Sequence, residues 1–284
     1  MRALFFYFWL GMSARSCKGA RMISPKMAAS HMNMSDVHER IELIRNEDSS
    51  RLNNLKYLET FILRLGMNDE NRNEFPSSVL AHAGGLRIFQ YPVQLAPYLQ
   101  LLSGLNIRSY LEIGCRWGGN FIMTVEYLSR FHQLNESVAV DIHNSPVDDI
   151  YCKTTPGARF YQFDSRGSAF SGFMKDHQFD AIFIDGDHTY EGVRSDFLTV
   201  SGAARVYIFH DITSTPCPGV AKFWAELKAT EEYEIHEFIE QYPEVVSKSR
   251  GAEYLGIGVA ITRGFARKSP RRSLRRPLAG RTNS

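Results

Sequence analysis

The segment Phe179-Asp-Ala-Ile-Phe-Ile184 runs directly into Asp185-Gly186-Asp187-His188, and no other stretch constrains the fold as tightly. Its apolar run is too short for a helix and reads as a central strand. In open α/β sheets ligands bind outside the carboxyl ends of the strands. At that point the chain places two carboxylates and an imidazole on a glycine turn. Taken alone, the same residues also describe a strand exit with solvated acids, since Asp and Gly are ordinary turn formers.

Upstream, Arg108 to Asn120 reads as strand, glycine-rich turn and helix start, with Glu112 at the strand tip. Gly114 permits a tight turn, and Gly118 and Gly119 would let a ligand approach the backbone. Phe121, Ile122, Val125 and Leu128 give the next helix an apolar face. The spacing departs from the G-x-G-x-x-G of dinucleotide folds, which disfavours a pyrophosphate cradle. Ser137 to Ile142 is a second strand ending in Asp141, placed to take two ribose hydroxyls, and Arg159 to Ser165 is a third, ending in Asp164 and Ser165. Tyr190, Val193, Phe197 and Val200 recur at helical spacing, Val206 to Phe209 is another strand, and Val220, Phe223, Trp224 and Leu227 form a helical face. Tyr233 to Ile239 and Tyr254 to Thr262 read as two strands with no helix between them. Alternation of strand and helix implies a doubly wound α/β sheet.

Leu111 to Gly119, Val138 to Asp141, Phe163 to Ser165, Phe183 to Val193, Phe209 to Asp211 and Pro218 to Val220 resemble, in order, the motifs of class I S-adenosylmethionine-dependent methyltransferases. The similarity covers roughly residues 86 to 263, and the nearest branch is that of macrocin-type sugar O-methyltransferases and the proteins called cephalosporin hydroxylases. Trp117 beside the glycines is a departure from the pattern. The resemblance implies a Rossmann-like, mostly parallel seven-stranded sheet with an antiparallel edge hairpin. It implies S-adenosylmethionine held by Glu112, Gly114, Gly118 and Gly119 on the methionine and ribose side, by Asp141 at the ribose, and by Asp164 and Ser165 at the adenine. It also places Asp185, His210 and Asp211 where metal-dependent relatives hold a divalent ion such as Mg²⁺ or Mn²⁺, and Asp187, with His188 beside it, where some of them place a general base. The implied reaction is O-methylation of a sugar or small-molecule hydroxyl.

Before this core, Asp36 with Glu39 offers a capping pair; Val37, Ile41 and Ile44 form one helical face, and Leu55, Leu58, Ile62 and Leu65 a second, closed by Gly66. This N-terminal helical region, residues 36 to 104, has a packing, lid or dimer-forming role open to it, so a homo-oligomer is one expectation. The core spans 105 to 263. A chain of 284 residues with 44% hydrophobic residues supports one α/β domain with accessory helices. Residues 1 to 35 read as an extension, or as lying before a later translation start: the apolar run Ala3 to Leu10 is too short to span a membrane, and five methionines follow it. Residues 264 to 284 form a basic tail carrying Arg267, Lys268, Arg271, Arg272, Arg275, Arg276 and Arg281 without an acid. These seven charges exceed the chain's net +2, leaving a mildly acidic body. Such a tail contacts polyanions weakly. Cys17, Cys115, Cys152 and Cys217 are scattered, with neither a zinc-knuckle nor a disulfide pattern, so reduced thiols in a cytoplasmic setting are expected.

Two other enzyme classes fit parts of the pattern: a nicotinamide-dependent oxidoreductase, against which the glycine spacing counts, and a non-haem iron oxygenase using His188, His210 and Asp185. A non-catalytic S-adenosylmethionine-binding protein is the third alternative.

Overall fold

A computed structural model describes residues 34–263. The expectations for the N-terminal extension and the basic tail therefore lie outside the described residues, except that Met34 and Ser35 are already helical.

The chain enters through helices α1 (Met34–Asn46), α2 (Leu55–Leu65) and α3 (Pro92–Ser103). Strands β1 (Ser109–Ile113), β2 (Glu136–Asp141), β3 (Ala158–Gln162), β4 (Phe179–Ile184) and β5 (Ala204–His210) then alternate with α4 (Gly119–Ser129), α5 (Ser168–Asp176), α6 (Tyr190–Val200) and α7 (Pro218–Ala229). Strand β6 (Tyr233–Phe238), helix α8 (Pro243–Lys248) and strand β7 (Ile257–Thr262) complete the described chain. The seven strands lie in the order β3-β2-β1-β4-β5-β7-β6, all parallel except β7. The order doubles back at β1, which starts the crossing to β4, so a crevice opens outside the carboxyl ends of these two strands.

Along the central parts of the strands, side chains alternate between two cores. Tyr110, Ala139, Ala181, Phe183, Val206 and Ile208 join the layer built from α1 to α4. Leu111, Ile113, Val138, Val140, Ile182, Ile184, Tyr207 and Phe209 join the layer of α5, α6 and α7. All six residues of β4 are buried, as expected of a strand covered on both faces. Asp180 is the one acid among them, and its Oδ2 accepts the Arg108 and Ser109 amides at 2.8 and 3.1 Å, fixing the start of β1. From there the register sets Ile113 beside both Val140 and Ile184, which brings the exits of β1, β2 and β4 level.

Three local readings are corrected. Asp36 does not cap a helix: it lies within the first turn of α1 and pairs with Arg40 at 2.9 Å. The caps that organise this region are Asp48, which accepts from the Ser50 and Arg51 amides, and Asn54, which accepts from Tyr57 N. Leu55 does not share the buried face of α2; it is exposed, whereas Leu58, Ile62 and Leu65 are fully buried. Strands β6 and β7 pair antiparallel, but α8 lies between them, so the edge pair is not a tight hairpin. Pro243 at the first helical position starts α8, a signal that its six-residue length made easy to miss. No helix among the described residues is long and apolar enough to cross a membrane.

Candidate active site

A cavity of about 710 Å³ lies along the carboxyl ends of β1, β2, β4 and β5. That is within the usual range for a small-molecule site. Every residue singled out as a candidate ligand or catalytic group lines it, with the exception of Gly118.

The floor is set by the turn after β1. Gly114 has φ +87°, and a Cβ on it would stand 2.1 Å from the Asp185 carbonyl oxygen. The two strand-end turns therefore touch through a glycine that nothing larger can replace. Gly118 (φ +83°) and Gly119 are constrained by the chain itself, since their Cβ positions run into Val147 and into the Leu86 carbonyl. Their smallness serves packing of the flanking segments. Asp141 ties two turns together: Oδ2 accepts from Arg116 N at 2.8 Å and Oδ1 from His143 N at 2.9 Å. An ionised carboxylate offers about four lone-pair sites, so about two remain for hydroxyl donors. Asp164 Oδ1 accepts from Arg166 N at 3.0 Å in the turn after β3.

Glu112 is fully buried and receives the Tyr110 hydroxyl at 2.8 Å. Burial, with Asp185 and Asp141 nearby, outweighs the Tyr110 hydrogen bond and pushes its carboxyl up to about 8. Cys115 lies beside it, buried, with burial first and then Asp141 and Glu112 raising its thiol well above the ordinary value. A thiol held protonated is a poor nucleophile.

The other end of the cavity holds four titratable groups in one cluster. His188 Nε2 lies 2.9 Å from Asp185 Oδ1, and His210 Nδ1 lies 3.0 Å from the same oxygen. His210 Nδ1 is also 3.5 Å from Asp211 Oδ1, and His188 Nδ1 is 3.6 Å from Asp211 Oδ2. Asp211 holds this position with φ +61°, a left-handed conformation that few non-glycine residues adopt. Burial alone would raise the two carboxyls and lower the two imidazoles, but mutual attraction overrides it. Asp185 and Asp211 are depressed below the usual carboxylate range by the histidines, and both histidines are raised well above theirs by the carboxylates.

The donor set fits a divalent cation. His210 Nδ1 and Asp211 Oδ1 are buried and make no hydrogen bond. Ligand atoms of Asp185, His188 and His210 lie within 4.8 Å of one another, as do those of His188, Asp211 and Cys217, so His188 belongs to both clusters and the expected trio Asp185, His210 and Asp211 is not brought together as one set. Mixed imidazole and carboxylate ligands suit Mn²⁺, Fe²⁺ or Zn²⁺ better than Mg²⁺, which favours oxygen alone. Asp187 stands differently. Its Oδ1 accepts from Thr189 N at 2.9 Å and its Oδ2 from Arg166 at 3.2 Å, and its carboxyl packs against Gly192 in the first turn of α6.

Sequence reasoning missed several cavity residues. Ile142, 51% exposed, and Phe163, stacked on Tyr161 at 5.3 Å, provide apolar surface between Asp141 and Asp164. A solvent-facing isoleucine directly after a strand-end acid is the signal that could have found the first. Arg87 and Arg116 close the rim from the N-terminal side, meeting Glu70 at 3.8 and 2.5 Å, and Arg87 lies 4.9 Å over the Trp117 ring. The bulk of Trp117 is thus engaged by the chain itself.

Residues 111–212 match the model of a methyltransferase domain family. Among solved structures the fold is similar to an O-methyltransferase from Bacillus cereus in complex with SAH (17% identity, 83% of this chain and 100% of that one, TM-score 0.41). It is also similar to the O-methyltransferase TomG from Streptomyces achromogenes, involved in tomaymycin synthesis, in complex with SAM (13%, 82% and 97%, TM-score 0.43). A third is a putative caffeoyl-CoA O-methyltransferase from Staphylococcus aureus (16%, 81% and 100%, TM-score 0.45). Among curated proteins none matches the chain at a significant level. The domain match covers the strand ends that line the cavity, and within that span the doubly wound sheet presents acids at the ends of β1, β2 and β4, so this part of the chain is similar to a methyltransferase domain.

Proposed function

We propose that this enzyme transfers the methyl group of S-adenosylmethionine to a hydroxyl oxygen of a small-molecule or saccharide acceptor, with a divalent cation held by Asp185, His210 and Asp211 and with His188 in reach of it. The observation that carries the reading is the pair of buried, unbonded ligand atoms, His210 Nδ1 and Asp211 Oδ1, at one end of a cavity whose other end carries Asp141 and Asp164.

Methyl transfer is an in-line displacement: the acceptor oxygen forms a bond to the methyl carbon as the carbon–sulfur bond breaks, and the acceptor's proton must leave. Positioning supplies most of the catalysis in such a step. Asp141 would take the ribose hydroxyls on its remaining lone pairs, Asp164 and Ser165 would face the adenine edge, and Ile142 and Phe163 would cover its apolar surface. Glu112 and the Gly114 turn would border the methionine end. A bound divalent cation would lower the acceptor hydroxyl's pKa and fix its position, which helps an uncharged alcohol most. His188 would be the proton acceptor for the acceptor hydroxyl, provided that a bound cation offset the Asp185 and Asp211 charges that, with Cys217, raise it. Asp187, with both oxygens engaged, orders the turn that presents His188.

Titration of the protein with Mn²⁺, followed by electron paramagnetic resonance, tests the cation site. One tightly bound ion per chain that disappears in Asp211→Asn and His210→Ala supports the reading. Equal occupancy in wild type and both variants rejects it. We further propose that residues 35–264 bind S-adenosylmethionine without the flanking segments, since the described members of both hydrophobic layers lie in that span.

A further inference from the structure

We propose that Gln90 and Gln94 are positioning residues that fix which nitrogen of His210 carries a proton, reserving Nδ1 for the cation of the proposed site. The inference rests on that reading for its functional meaning, while the hydrogen-bond logic stands on its own. Gln90 and Gln94 are fully buried, and His210 is 2% exposed. Two backbone groups anchor the chain of bonds. The Gly256 N–H can only donate, and it donates to Gln94 Oε1 at 3.1 Å. The Glu240 carbonyl can only accept, and it accepts from Gln94 Nε2 at 2.7 Å.

The Gln94 amide is therefore oriented without ambiguity. Its oxygen also accepts Gln90 Nε2 at 2.6 Å, which turns the Gln90 oxygen toward His210 Nε2, 2.5 Å away. An amide oxygen has no proton to give, so Nε2 must be the donor. Nδ1 is left facing Asp185 Oδ1 and Asp211 Oδ1 at 3.0 and 3.5 Å. Without a metal Nδ1 carries a proton toward these carboxylates; a cation bound between them would take that proton's place on the Nδ1 lone pair. A flipped Gln90 would set two amide oxygens against each other in a buried site, where each lost hydrogen bond carries the full desolvation penalty. Hydrogen bonding at the far nitrogen is how proteins commonly fix the tautomer of a ligating histidine. Here the anchors come from the segments before and after α8, so the edge strands take part in building the site.

The test uses the full chain labelled with ¹⁵N-histidine. Long-range ¹H–¹⁵N spectra should show His210 Nε2 protonated both without metal and after saturation with Zn²⁺. An unprotonated Nε2 in either state overturns the proposal, whether or not a metal binds. In the second arm, Gln90→Met removes the acceptor while keeping length and volume. Its Mn²⁺ affinity should fall about tenfold to a hundredfold, with Gln94→Met intermediate. If Gln90→Met does not fold, Gln94→Met with the spectra decides. A folded Gln90→Met that binds Mn²⁺ as tightly as wild type overturns the proposal. No Mn²⁺ binding by the wild type would instead overturn the cation reading, leaving the Nε2 signal to judge the glutamine relay.

Discussion

Replacing Glu112 with Gln should change how stability depends on pH, and the structure gives the size and sign. The carboxyl is buried beneath the cavity with its pKa pushed up to about 8 from 4.5. The folded protein thus keeps a proton that the unfolded chain releases above 4.5. Stability falls wherever the folded state binds more protons as pH rises, so Glu112 costs nothing below about pH 4.5 and progressively more up to about pH 8. The gap of about three and a half pH units, at about 1.4 kcal/mol each, amounts to a cost of about 5 kcal/mol. Gln at this position keeps the shape, can accept the Tyr110 hydroxyl and cannot ionise. At pH 5 the variant and wild type should melt together. By pH 8.5 the variant should be the more stable by several kcal/mol, a difference on the order of 10 °C in Tm for a domain of this size. Glu74, raised to about 7 by burial, and the two raised histidines slope the same way, but they do so in both proteins and cancel in the comparison. Scanning calorimetry at half-unit steps from pH 5 to 8.5 measures this. Parallel Tm curves for the two proteins would refute the argument that Glu112 is neutral in the folded state.

Other expectations concern the site directly. Asp141→Ala should weaken S-adenosylmethionine binding by about 1.5–3 kcal/mol for each charge-assisted hydrogen bond lost, read by calorimetry; an unchanged affinity removes Asp141 from the cofactor site. His188→Asn should reduce turnover by about a hundredfold or more, the scale of losing a general base, while Asp187→Asn should stay within about tenfold of wild type; the reverse order returns the base role to Asp187. Gly114→Ala forces a side chain into φ +87° and against the Asp185 carbonyl. It should destabilise the fold by about 2–4 kcal/mol and lower Mn²⁺ affinity by displacing Asp185; a denaturation midpoint like that of wild type would show that the two turns do not press on one another.

The sheet was legible because central parallel strands announce themselves as apolar runs, and because polar residues crowd where such strands end. Asp141 and Asp185 stand out at the ends of the apolar runs of β2 and β4, whereas His210 and Asp211, the last residue of β5 and the next, were singled out only through the family resemblance. What sequence could not supply was partnership across the chain. Gln90 and Gln94 sit in a segment before the core, 120 and 162 residues from the His210 and Gly256 they meet, and locally the sequence marks only a short Pro-containing lead into the core. Asp187 matched a motif position, yet its engagement by Arg166 and Thr189 depends on how two strand-end turns approach each other. The same holds for the glycines. Their close approach was foreseen, but at Gly118 and Gly119 it is Val147 and Leu86 that come near.

Every role proposed for the site depends on S-adenosylmethionine binding in the crevice along β1, β2 and β4. Isothermal titration with S-adenosylmethionine, and separately with S-adenosylhomocysteine, tests it without knowledge of the acceptor. Saturable binding of one molecule per chain is expected for each ligand, accompanied by a rise in Tm. Absence of both heat and thermal shift with either ligand at millimolar concentration would contradict it.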